Sequence, residues 1–189
     1  MARSSSKASG RKRWKPTVNP SLSTRTLATL GQYSDAAKAL EKAVELDPTS
    51  HANIAGLADA YLQLGQRDKA MSSYEAAIKL ALKAYQVNNR DATTLGALAL
   101  YYAKKGDLNR AQNFIAKARE IDANDNVLIY NDAMIQALSG KLANGLKLLR
   151  EALKSGFPIG IAKSEPELAA LRSDPEFEKL TKDFSRKAK

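Results

Sequence analysis

Small and apolar residues recur along this chain in units of about 34 residues, and a glycine divides each unit into two helical patterns. The intervals between these glycines are 34, 41 and 34 residues, and the glycines are Gly31, Gly65, Gly106 and Gly140. An alanine stands twelve positions after each of them, at Ala43, Ala77, Ala118 and Ala152. A fixed period of this length predicts an all-α solenoid of about four helix-turn-helix units.

The same spacing predicts individual helices. Asn19 and Pro20 form a helix start, and this first helix extends to about Leu30. The seven additional residues of the second unit continue one apolar stripe from Ala70 to Tyr85. We therefore expect them to lengthen the second helix of that unit by about two turns, and not to form a loop.

Changes of pattern divide the chain into three segments. Residues 1–18 form a basic arm that we expect to be disordered, residues 19–156 form the solenoid, and residues 157–189 form a loop and capping helices. The loop is expected at residues 157–160. The final helix has three apolar residues on one face, which should cover Leu149 and Leu153 of the last unit: Phe177, Leu180 and Phe184.

Corresponding positions of the units resemble the tetratricopeptide repeat (TPR) family. In units two and three these are Leu57, Ala58, Tyr61, Gly65, Ala70, Tyr74, Ala77, Leu98, Ala99, Tyr102, Gly106, Ala111 and Ala118. The resemblance implies a right-handed solenoid that acts as a protein-interaction scaffold. The C-terminal segment is also similar to the end of the TPR regions of bacterial multidomain signalling proteins, through the stretches at 165–168 and 171–177.

The resemblance also implies a partner-binding groove on the concave face, lined by the first helix of each unit. Carried over by register, this surface contains Ala55, Asp59, Leu62, Gln63, Gly96, Leu100, Lys104, Tyr130, Asn131 and Met134. The Lys, Asn and Arg set that binds a terminal carboxylate in chaperone-binding members is absent. A groove that is apolar with a few polar groups suits an apolar helix or extended segment of another protein. The alternative is that these residues are simply exposed, or covered by the chain's own tail.

The composition argues against catalysis. The chain has no cysteine and a single histidine, His51, so thiolate chemistry is excluded and a zinc site is not expected. Nucleotide-binding and hydrolase motifs are absent from the sequence. We therefore expect no enzymatic activity, cofactor, metal or small-molecule substrate, and predict a protein-protein interaction adaptor or assembly subunit.

The net charge of +10 is concentrated near the N-terminus. Residues 1–34 contain seven basic residues and no acidic one, and the densest cluster is Arg11, Lys12, Arg13, Trp14 and Lys15. Such a cluster neutralises phosphates, and its indole stacks on bases. The alternative function is thus a structural component of a ribonucleoprotein or other anionic assembly, with nucleic acid, an acidic protein or a membrane surface as the partner. An import signal and a solubilising tail are equally open interpretations of the arm.

The location expected from the sequence is cytoplasmic. The longest apolar stretch, residues 92–103, is too short to span a bilayer, and no signal-peptide pattern is present. If the arm is a transit peptide, import into an organelle is the alternative.

Overall fold

The computed structural model describes residues 33–187, with side chains described through Ser185. All regular secondary structure in this range is helical, and the range contains no β-strand. The predicted first helix at 19–30 and the basic arm, including Arg11–Lys15, lie outside the described residues.

Seven helices form the repeats, and they are α1 (Tyr33–Leu46), α2 (His51–Gln63), α3 (Arg67–Val87), α4 (Ala92–Lys105), α5 (Leu108–Ile121), α6 (Asn126–Leu138) and α7 (Leu142–Lys154). Helix α1 is the second helix of the first unit, and the next three units are the pairs α2–α3, α4–α5 and α6–α7. The two helices of each pair pack on each other, and each pair packs on the next. The predicted helix-turn-helix solenoid is therefore confirmed.

The recurrent glycines adopt a backbone conformation that other residues rarely take. Gly65, Gly106 and Gly140 have φ angles of 72°, 88° and 74° and lie in the left-handed region, at the turns between paired helices. The amide of Asp107 donates a hydrogen bond to the carbonyl of Tyr102, which gives a backbone acceptor at the end of α4 its partner. The glycine period in the sequence thus marks the turns themselves.

Helix α3 has 21 residues, whereas α2 has 13. The extra length is helical, as predicted from the unbroken apolar stripe, and Ala81 within it is completely buried. Helix α4 then begins after Asp91, whose carboxylate accepts hydrogen bonds from the amides of Thr93 and Thr94.

The C-terminal segment consists of α8 (Ile159–Ser164), a 3₁₀ turn (Pro166–Leu168), α9 (Ala169–Arg172) and α10 (Pro175–Lys187). The loop predicted at residues 157–160 is wrong in part, because α8 already begins at Ile159. Ala162 of this short helix is completely buried against the last repeat, and that burial stabilises a helix whose sequence is too short to indicate one.

The final helix covers the last unit as predicted. Phe177 and Leu180 of α10 are buried in one cluster with Leu149 and Leu153 of α7, and Phe184 packs against it. Asp174 accepts a hydrogen bond from the amide of Glu176, so the aspartate caps this helix just before its first residue, Pro175.

Candidate binding groove

A cavity of about 240 Å³ lies on the concave side of the repeats. Its walls are α2, α4 and α6, which are the first helices of units two, three and four, together with part of α1. The C-terminal segment from Ile161 to Glu167 closes one side. We call this cavity the concave groove. Its apolar lining consists mainly of small side chains, from Ala36, Leu40, Ala52, Ala55, Ala60, Ala97, Leu100, Val127, Ile161 and Pro166.

A charged cluster lies on one wall of the groove, around Lys104 near the end of α4. The Lys104 ammonium is 2.5 Å from Asp59 Oδ1 on α2, 2.8 Å from Glu167 Oε1 and 3.8 Å from Glu165 Oε1. We call these four residues the Lys104 cluster. The lysine side chain is only 3% exposed. A lysine is fully buried in this way only where carboxylates compensate for its lost hydration.

Neighbouring tyrosines extend the cluster into the core. The hydroxyl of Tyr74, which is buried on α3, donates a hydrogen bond to the same Oδ1 atom of Asp59. The hydroxyl of Tyr130 on α6 donates to Glu165 Oε2 at 3.3 Å. The cluster therefore connects units two, three and four with the C-terminal segment.

The environment shifts several pKa values. Burial lowers the pKa of Lys104, but Asp59, Tyr74, Glu167 and Glu165 outweigh burial and raise it well above 10.5. Burial raises the pKa of Glu167, but the charge of Lys104 and a hydrogen bond with Glu165 outweigh burial and lower it well below 4.5. Lys104 and Glu167 are therefore both charged at neutral pH.

His51 lies at another part of the groove wall. Its Nδ1 atom is 2.9 Å from the hydroxyl of Tyr101, and the two rings are in edge contact. Burial lowers the pKa of His51 below 6.5 although Asp91 opposes the shift. The imidazole is therefore mainly neutral at pH 7 and adds no cation to the groove.

Two buried oxygen atoms of the groove residues have no donor in the described part of the chain. They are Asn131 Oδ1 on α6 and Glu167 Oε2 on the 3₁₀ turn. Unpaired buried acceptors are rare in folded proteins, and each costs free energy until a donor reaches it.

Six of the ten predicted groove residues line this cavity, namely Ala55, Asp59, Gln63, Leu100, Lys104 and Asn131. Leu62 is half-buried and does not line it. Gly96 is buried where α4 crosses α6, and a Cβ atom on it would overlap with Leu128. Gly96 is therefore a packing residue and not an exposed one.

Tyr130 and Met134 require a correction, because both are 0% exposed. The 3₁₀ turn packs on α6 and covers the concave side of unit four. The ring of Tyr130 also stacks on Phe157, with 3.9 Å between ring centroids. The family register places these residues on the concave face, but the chain's own C-terminal segment occupies that face in unit four.

Sequence reasoning missed Glu165, Glu167 and His51 as groove residues. The only available signal was Lys104 itself, a charged residue at an otherwise apolar face, since such a residue requires partners. Its partner on the 3₁₀ turn, Glu167, is far from it in the sequence, and no local pattern indicates a contact over that separation.

Within the described residues, no group of three His, Asp or Glu side chains is placed to hold a metal ion. None of the helices in this range is long and apolar enough to cross a membrane.

Comparison with known sequences agrees with this architecture. Residues 27–73 and residues 92–125 each match a tetratricopeptide repeat profile. These two segments are therefore similar to tetratricopeptide repeats. Repeats of this class generally form non-enzymatic scaffolds for protein-protein interaction.

Two curated relatives share part of the chain. A tetratricopeptide repeat and J domain-containing co-chaperone of Cryptococcus neoformans is 37% identical over 82 residues, which are 43% of this chain and 14% of that protein. Anaphase-promoting complex subunit 3 of Schizosaccharomyces pombe is 32% identical over 104 residues, which are 55% of this chain and 15% of that protein. The chain thus spans about one seventh of the length of either relative.

A solved structure extends the similarity to most of the chain. The chain is similar to the crystal structure of a thermophilic TPR protein from Thermus thermophilus, with a sequence identity of 20% and a TM-score of 0.54. The match covers 90% of this chain and 88% of the Thermus thermophilus chain. This comparison supports the right-handed TPR solenoid fold. The resemblance of the C-terminal segment to bacterial multidomain signalling proteins stays a prediction.

Proposed function

We propose that this protein is a non-enzymatic adaptor that binds an apolar segment of a partner protein in the concave groove. The observation that carries the proposal is an accessible cavity of about 240 Å³ whose walls are mainly small apolar side chains. Small-molecule sites usually enclose about 300–1,000 Å³. A smaller apolar cleft suits a few side chains of a peptide better than a whole cofactor.

The shape of the lining also favours a peptide. Alanines at the groove surface, such as Ala55 and Ala97, allow a ligand backbone to approach the first helices closely. Leu40 and Leu100 supply the larger apolar contacts. This combination suits a helix or extended segment that inserts apolar side chains.

The groove does not favour a terminal carboxylate as the main anchor. Among the described lining residues, Lys104 is the one that carries a full positive charge, and three carboxyl groups already surround its ammonium group. An incoming carboxylate would have to displace one of them. The proposed ligand is therefore an internal segment of the partner and not its C-terminus.

Site-specific photocrosslinking tests the proposal. A photoreactive residue at Ala97, which lines the groove, should capture a protein partner from the native extract, and the same residue at exposed Ala116 of α5 should not. Filling the groove with Ala97→Tyr should abolish capture, while the matched control Ala116→Tyr should leave it unchanged. Equal capture from both positions, or capture that Ala97→Tyr does not reduce, would refute groove binding.

The basic arm supports the second candidate, an anionic assembly with nucleic acid or another polyanion. Residues 35–189 contain 23 basic and 20 acidic residues, so the excess of positive charge lies before them. Binding should weaken steeply with salt and disappear when residues 1–18 are deleted. Unchanged binding by the truncated chain would contradict this function. A cytoplasmic location likewise remains a proposal.

A further inference from the structure

We infer that the segment accepted by the groove carries a lysine or arginine side chain, and that Asp59 receives its charged group. This inference rests on the proposed function, because it specifies the ligand of the same groove. It follows from the charges, free acceptor atoms and exposure of the described lining residues.

The charges of the lining do not balance. Asp59 and Glu167 contribute two negative charges and Lys104 contributes one positive charge, while Glu165 shares a hydrogen bond with Glu167 and adds no positive charge. His51 adds no charge near pH 7, because burial lowers its pKa. A low-dielectric wall strengthens the resulting attraction for cations.

Asp59 is the member of this cluster that a ligand can reach. Its side chain is 31% exposed, whereas those of Glu165 and Glu167 are 6% and 13% exposed. The hydrogen bonds from Tyr74 and Lys104 both end on Oδ1 of Asp59. Oδ2 accepts no hydrogen bond from any residue between 33 and 185, so one oxygen of a positioned carboxylate remains available.

Asn131 provides an independent indication of a donor-rich ligand. It lines the same groove, is 5% exposed, and its Oδ1 atom has no donor among the described residues. Asp59 Oδ2 and Asn131 Oδ1 are therefore both acceptors without a donor among the described residues. A lysine ammonium supplies three donors and an arginine guanidinium five, whereas a carboxylate supplies none.

The surrounding lining suits the stem of such a side chain. Ala55 and Leu100 lie on the same wall as Asp59 and Lys104. The methylene groups of a lysine or arginine pack on apolar surface of this kind while the charged end reaches an acceptor. One basic residue among apolar neighbours therefore suits this part of the groove.

The test selects peptides with the full-length protein. A library of random ten-residue peptides with amidated C-termini is panned against the protein. A peptide is retained if the substitution Ala97→Tyr in the protein abolishes its binding. We expect a lysine or arginine at one position of the retained peptides. Replacing it by uncharged norleucine should weaken binding at least tenfold, with a marked dependence on salt.

Matched protein variants assign the contact. Asp59→Asn should remove the preference for the basic residue over norleucine, and Asp68→Asn, at an exposed position of α3, should retain it. Because Asp59 also contacts Lys104, the helical content and melting temperature of each variant are measured. The affinity of the norleucine peptide for the unaltered protein is measured as well, and this measurement does not depend on the fold of any variant.

Each remaining outcome has a defined meaning. Retained peptides that lack a basic residue, or that bind norleucine equally well, overturn this inference but leave groove binding intact. A library from which no groove-dependent peptide is retained overturns both. If library peptides bind only after residues 1–18 are deleted, the occupant is this chain's own basic arm and not a partner.

Discussion

Replacing Lys104 by methionine should destabilise the protein far more than the same replacement at the next residue, Lys105. Methionine keeps most of the length of the side chain but removes its charge. Lys104 is 3% exposed and lies within 4 Å of three carboxyl groups, whereas Lys105 is 25% exposed and pairs with Glu75, which is 66% exposed.

The expected difference follows from burial. Removing one partner of a buried ion pair costs about 3–5 kcal/mol, because the other charge stays buried without compensation. An exposed pair contributes about 0–1 kcal/mol. For a chain of this size each kcal/mol lowers the melting temperature by about 2–4 °C. We therefore expect Lys104→Met to lower it by about 6–20 °C and Lys105→Met by at most about 4 °C.

Thermal and guanidinium unfolding followed by circular dichroism at pH 7 measure both variants. Adding Glu167→Gln to Lys104→Met should recover part of the loss, because it removes one of the uncompensated carboxylates. Two lysine variants whose free energies of unfolding agree within about 1 kcal/mol would refute the argument from burial.

Three further predictions concern packing, pH and the C-terminus. Gly96→Ala should be less stable than Gly160→Ala in denaturant unfolding, because a Cβ at position 96 would overlap with Cδ2 of the buried Leu128 and force that side chain to move, whereas a Cβ at position 160 meets open space. Equal effects would contradict the close helix crossing. The free energy of unfolding should fall as the pH drops below about 4.5, because the lowered pKa of Glu167 stabilises the fold fully only above the pKa of an unfolded glutamate. It should fall again above about 10.5, because the raised pKa of Lys104 stabilises the fold fully only below the pKa of an unfolded lysine. Burial also raises the pKa values of Tyr74 and Tyr101, so these tyrosines contribute to the same alkaline loss. Lys104→Met should therefore reduce the alkaline component in pH-dependent melting, and an unchanged wild-type profile in that variant would exclude a contribution from Lys104. Truncation after Gly160 should lower the melting temperature and promote self-association in sedimentation, because the apolar face of α7 becomes exposed; a monomer with unchanged melting would show that the segment is not a cap.

The repeats could be predicted from the sequence because their determinants are local. A glycine at a left-handed turn, such as Gly106, imposes a backbone requirement that one residue type meets. The longer helix α3 followed from an apolar stripe that kept its phase. The covering of Leu149 by α10 followed from an amphipathic final helix next to an unprotected repeat.

The groove could be predicted only in part, because its boundary is a tertiary contact. Nothing local in the sequence distinguishes Leu100, which lines the groove, from Met134, which is buried beneath the C-terminal segment. The difference arises where the 3₁₀ turn packs on α6. Contacts between residues so distant in the sequence depend on the superhelical path of the whole array, and helical periodicity does not contain that path.

The Lys104 cluster also has a mechanical consequence. A TPR array resembles an extensible coil, since each unit contacts only its neighbours and small changes at every junction add up. Here a lysine of unit three connects an aspartate of unit two with a glutamate beyond unit four. That connection works as a brace across several junctions, so the pitch of this part of the coil is held.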